Sequence, residues 1–165
     1  MQRILLKKKL YDQYAKFYEK RTKIFVNKFI TYDINLFLKN LPGKRILDLG
    51  SGPGRDSWIF KKRGFDPLCL DISKEMLKLC QDKGLKTKQM DINRLKFPSN
   101  YFAGVWSYTS LTTMSKKEAW RAIERAHLLA VFRLDQLGVQ IHGALATEQP
   151  RARGVRGTEQ RCLNK

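Results

Sequence analysis

The segment Ile46-Leu47-Asp48-Leu49-Gly50-Ser51-Gly52-Pro53-Gly54-Arg55-Asp56 constrains the fold more than any other part of the chain. A short apolar run ends in three alternating glycines, and a helical pattern follows directly. Glycine takes positive φ without a Cβ penalty, so such a turn can reverse tightly and let a ligand approach the backbone. The free N–H groups and positive dipole end of the following helix suit a carboxylate or phosphate. A dinucleotide turn wants Gly or Ala at its third fingerprint position. Counting from Gly50, that position is Arg55. The Gly-Lys-Ser/Thr of a phosphate-binding P-loop is also absent.

The flanking sequence extends the pattern. Residues 10–40 read as helical, with apolar side chains at helical spacing and a break expected near Thr31. Leu41-Pro42-Gly43 stops that helix. Strands are expected at 45–49, 65–70, 85–90 and 101–108, and helices at 56–63 and 73–83, with Ser73 as N-cap. Another helix opens at Ser115. Strands alternating with helices specify an α/β fold with a parallel, Rossmann-like sheet and flanking helices.

Two further acids fall at strand ends, where ligands bind open parallel sheets. Asp71 lies 21 residues after Gly50 and can accept both hydroxyls of a ribose. Asp91 ends the third strand. Either acid also fits a helix N-cap, and Tyr18, Ser107 and Tyr108 also fit structural roles.

With these residues in place, the chain resembles the class I S-adenosylmethionine-dependent methyltransferases over residues 10–128. The resemblance implies S-adenosylmethionine as cofactor. It implies that Gly50, Ser51, Gly52, Pro53 and Gly54 wrap the methionine part, that Asp48 orients its amino group and that Asp71 holds the ribose. Asp91 and Ile92 would flank the adenine, with Ile72 beside Asp71. Ser107 and Tyr108 would face the methionine moiety and the acceptor. Tyr11-Asp12-x-x-Ala15-x-x-Tyr18 resembles the helix that closes over the site. The acceptor is expected to be a small molecule. The alternatives are an inactive cofactor-binding remnant and an RNA methyltransferase.

The chain departs from that pattern in three places. The fourth strand opens Phe102-Ala103-Gly104, without an acid. Thr112-Thr113 stand where a His is usual, so no catalytic base is assigned; Tyr108 and Tyr18 are the nearest polar candidates. Beyond Trp120 an apolar helical period runs to Leu137, with Gly138 the first breaker. One continuous helix is therefore expected, leaving the sheet incomplete at its C-terminal edge. A domain over residues 1–147 follows, with a cap helix at 10–40, a cofactor-binding core at 44–128, a weak strand at 139–146 and a disordered tail at 148–165. An unpaired fourth strand would invite oligomerisation.

Composition adds less. The net charge of +18 allows nucleic-acid binding, although the lysines are scattered. From residue 126 onward there are one Lys and five Arg, against 19 and eight before it, which points to a change of origin. Three cysteines without metal-ligand spacing suggest reduced thiols in a cytoplasmic protein. No metal, no membrane span and no membrane partner is expected.

Overall fold

The computed structural model of the chain describes residues 2–23 and 28–131. Helices α1 (Gln2–Lys23) and α2 (Lys28–Lys39) precede β1 (Arg45–Leu49), α3 (Arg55–Lys62), β2 (Asp66–Asp71), α4 (Lys74–Gln81), β3 (Lys86–Gln89), β4 (Gly104–Trp106) and α5 (Lys116–Leu129). Short 3-10 turns stand at Ile92–Arg94 and Ser110–Thr113. The four strands form one parallel sheet in the order β3-β2-β1-β4. This is the Rossmann-like α/β fold expected from the alternation of elements.

The pleat of β1 divides the core. Leu47 and Leu49 face a cluster built with Leu70, Phe102, Ala126 and Leu129, which seats α5. Ile46 faces the other way, into a cluster of Ile30, Ile34, Leu38, Phe60 and Trp106 that seats α2 and α3. Such two-sided burial is what a parallel sheet requires. The break expected near Thr31 does not fall at that residue: Thr31 lies inside α2, and the stretch is divided between α1, ending at Lys23, and α2, opening at Lys28. Ile30, Ile34 and Leu38 recur every fourth residue and are all buried, so the packing face carries α2 through that position.

Capping matches local chemistry. The Ser73 side chain accepts from the Met76 N–H at the start of α4. Ser115 and Glu118 form a reciprocal capping box on α5.

The end of α5 corrects the expectation of one helix running to Leu137. The helix stops at Leu129, and Ala130 is extended. Backbone N–H groups of Asn100 and Phe102 donate to the Leu128 and Leu129 carbonyls, each at 3.0 Å, and the Val131 N–H donates to the Phe102 carbonyl at 3.0 Å. Ala130 thus bridges Phe102 in parallel, beside the start of the β4 edge. No glycine is needed there, because tertiary partners take the last helical carbonyls and Leu129 and Ala130 are buried. Residues 132–137, the strand expected at 139–146 and the tail at 148–165 lie outside the described residues.

Candidate functional site

The strand ends, the glycine turn, the loop after β4 and the inner face of α1 enclose an open cleft of about 270 Å³. Gly50, Ser51, Gly52, Pro53, Asp71, Ile72, Asp91, Ile92, Tyr108 and Tyr18 all line it. Asp48, Gly54 and Ser107 are not among its lining residues.

Each of those three is turned beneath the cleft. Asp48 is buried and accepts a 2.7 Å hydrogen bond from the Ser57 hydroxyl on α3. Burial, with the nearby Cys69 and Asp56, holds its carboxyl well above the usual range. Gly54 is the N-cap of α3, and a Cβ there would lie 2.7 Å from Leu85 and 2.8 Å from the Cys80 sulfur. The hydroxyls of Ser107 and Ser110 bond each other at 2.6 Å and both reach the Leu49 carbonyl, tying the loop after β4 to the end of β1.

Within the turn, Gly52 is different. Gly50 and Gly54 have neighbours that leave no room for a Cβ. A Cβ on Gly52 would meet only the Tyr18 ring, at 3.9 Å, although its φ is +53. The space in front of Gly52 is therefore cleft. Its N–H donates to Asp71 Oδ2 at 2.9 Å, and the Ser73 N–H donates to Oδ1 at 2.9 Å. Burial raises the Asp71 pKa, and these backbone bonds only partly offset it. A carboxylate has about four lone-pair sites, so each oxygen can accept one more donor from the cleft. Gly50 and Ser51 N–H groups both donate to the Leu70 carbonyl, which pins the turn to β2.

Asp91 fits the expected N-cap. It lines the cleft and also caps the turn at Ile92–Arg94 through the Asn93 N–H at 2.9 Å.

Opposite this wall stands α1. Asp12 accepts from the Ser73 hydroxyl at 2.6 Å, the Glu75 N–H at 3.3 Å and Lys8 at 2.8 Å. Burial acts to raise its pKa, but the bonds from Lys8, Ser73 and Glu75 outweigh it and the net shift is downward. Lys83 donates to Glu19 and to the Pro53 carbonyl at 2.7 Å each, and to the Leu79 carbonyl at 3.0 Å. It thereby joins α1 to the glycine turn. Lys7, from α1, donates to the Thr113 carbonyl.

Sequence reasoning missed Arg55 as a cleft residue. Its guanidinium lies 5.3 Å over the Tyr108 ring, and Asp56 grips it with two hydrogen bonds of 2.7 and 3.0 Å. Asp56 also accepts from the Trp106 indole at 3.0 Å, and Trp106 stacks on Tyr108 with centroids 6.2 Å apart. Four side chains thus hold one another at the cleft floor. The only sequence signal was the position of Arg55 directly after the last turn glycine. Burial would lower the Arg55 pKa, but the Asp56 hydrogen bonds and charge raise it.

Residues 46–130 match the family model described as a methyltransferase domain, just over half of the chain. No curated protein matches it. Among solved structures, it is similar to a SAM-dependent methyltransferase of Thermotoga maritima, at 16% identity and a TM-score of 0.59, with 73% of this chain and 55% of that chain covered. A chain from the complex of the Haloferax volcanii Trm112 methyltransferase activator with a methyltransferase gives 19% identity, a TM-score of 0.59 and the same two shares, 73% and 55%. A Pyrococcus horikoshii protein gives 19% identity and a TM-score of 0.54 over 64% of this chain and 55% of its own. The chain spans about half the length of these proteins, and the likeness to them is one of fold.

Proposed function

Because this chain belongs to the methyltransferase domain family, we propose that it takes S-adenosylmethionine into the strand-end cleft and directs its methyl group to a small-molecule acceptor. One observation carries the reading. The turn glycine that faces open cleft, Gly52, donates its N–H to the Asp71 carboxylate, which lines the same cleft. The donor set fits the cofactor. Gly50, Ser51, Gly52 and Pro53 offer close backbone approach to its methionine part, and Asp71 keeps free lone pairs for two ribose hydroxyls. Asp91 and Ile92 are proposed to flank the adenine, with Ile72 beside Asp71, while Tyr108 and Tyr18 also line the cleft. Asp48, Gly54 and Ser107 support that wall from below.

The cofactor supplies the electrophilic methyl on a sulfonium. The chain's own residues orient the acceptor and exclude water. Helix α1 covers the acceptor side of the cleft with Tyr11, Tyr18 and Thr22, which suits a small molecule better than a polymer. The domain is proposed to run over residues 1–147, with 44–128 as cofactor-binding core, in a cytoplasmic protein. No helix among the described residues is long and apolar enough to cross a membrane.

Isothermal titration calorimetry of the full chain with S-adenosylmethionine and S-adenosylhomocysteine tests the reading. Saturable binding of both is expected; no binding of either would overturn it. The net charge of +18 favours an RNA acceptor as the second reading. Methyl incorporation into RNA but into no small nucleophile would establish that one. Binding without any turnover would leave a cofactor-binding remnant.

A further inference from the structure

Six of the eleven large hydrophobic side chains exposed among the described residues lie on α1: Leu5, Leu6, Leu10, Tyr14, Phe17 and Tyr18. At about 100° per residue, Leu6, Leu10, Tyr14 and Phe17 fall within about 80° of arc on the helix surface. They are between 51% and 70% exposed. Lys9, Lys16 and Lys20, all exposed, occupy an adjoining strip of about 40°, and exposed Arg21 sits within the apolar stripe. Both acids of this helix, Asp12 and Glu19, are turned the other way. Asp12 is engaged with Lys8, Ser73 and Glu75, and Glu19 with Lys83. The outward face of α1 is thus apolar and basic, with no acid on it among the described residues.

We propose that this face docks on an anionic lipid surface. The apolar stripe would enter the headgroup boundary and the lysine strip would meet the lipid phosphates, while the inner face of the same helix closes the cleft. Charge decides the sign of the partner, because among the described residues no acid on this face neutralises Lys9, Lys16 and Lys20. The leucines decide its kind. Leu6 and Leu10 gain nothing from a nucleic acid backbone, whereas a bilayer removes them from water. The face is also a convex single helix, which a flat bilayer accepts without a preformed groove.

The test is vesicle co-sedimentation of the full chain. Vesicles of phosphatidylcholine with about 30% phosphatidylglycerol are compared with phosphatidylcholine alone, at low and high salt. The proposal expects partition to the anionic vesicles, about tenfold weaker on neutral vesicles and in high salt. The double substitution Leu10→Glu with Phe17→Glu should lower it by tenfold or more and leave S-adenosylmethionine affinity unchanged. Lys9→Gln with Lys16→Gln and Lys20→Gln, which touches no apolar residue, should give a similar loss and serves if the first variant fails to fold. No partition to anionic vesicles, or partition that both variants retain, would overturn the proposal. Binding of an RNA oligonucleotide without vesicle partition would assign the face to nucleic acid. A dimer seen in sedimentation velocity and lost in Leu10→Glu with Phe17→Glu would assign it to a second copy. Either result would overturn the lipid assignment, and both are independent of whether the cofactor binds.

Discussion

The two walls of the cleft are built by different means. The strand-end wall is fixed by backbone: Gly50 and Ser51 N–H groups on the Leu70 carbonyl, and Gly52 and Ser73 N–H groups on Asp71. The α1 wall is fixed by side chains that reach across more than sixty residues of sequence, Asp12 to Ser73 and Lys83 to Glu19. The first wall exists wherever the sheet exists. The second depends on a few polar latches whose loss leaves the sheet intact. In the proposed reading, cofactor recognition belongs to the rigid wall, and access to it belongs to the latched one.

Breaking the rigid wall gives the largest effect. Gly52→Val places a β-branched side chain in the open cleft, at a φ of +53 that such residues avoid. Left-handed geometry alone costs roughly 1–2 kcal/mol. S-adenosylmethionine affinity should fall beyond detection by calorimetry while circular dichroism keeps the native helix content. Binding within a few-fold of the wild type would mean that the turn is only a connection.

Breaking a latch should cost less. Lys83→Met removes all three donors at once, including the one on the Pro53 carbonyl. A charge-assisted hydrogen bond is worth about 1.5–3 kcal/mol. The loss is shared between folding and binding, so about a tenfold weaker Kd is expected. Amide exchange should speed up in α1 and not in β1 or β2. Equal acceleration in both regions would erase the distinction between the walls.

Acid separates the walls more gently. Asp71 carries a raised pKa, so its ionised form, the one proposed to accept the ribose, is present above that value and is lost as pH falls through it, earlier than for an ordinary carboxyl. Asp12 carries a lowered pKa. Its contribution to stability is present above the unfolded value of 3.8 and is lost only as pH falls through the lower folded value. On acidification, cofactor affinity should decline a few-fold before the Tm attributable to α1 docking changes. A parallel decline in affinity and Tm would show that one group controls both.

The rigid wall was legible in the sequence because its parts are local. Turn, strand ends and following acids are fixed by spacing, as Gly50, Asp71 and Asp91 illustrate. The latches were not, since nothing in the spacing of Lys83 or Asp12 announces a partner more than sixty positions away. The end of α5 was misread for the same reason. Its apolar period continues past Leu129, but N–H groups of Asn100 and Phe102 take the terminal carbonyls. Thr31 fails in the opposite sense, because the buried Ile30–Ile34–Leu38 face overrides a weak helix former. Asp48 was legible as a strand-end acid, but the Ser57 hydroxyl that donates to it was not.

The central claim is that Asp71 holds the cofactor while the sheet stands without it. Calorimetric titration of S-adenosylmethionine into Asp71→Ala, beside the wild type at neutral pH, tests it most directly. The account predicts a folded variant whose affinity is lower by about 1.5–3 kcal/mol, the range of a charge-assisted hydrogen bond. An unchanged Kd in a folded Asp71→Ala chain would contradict it.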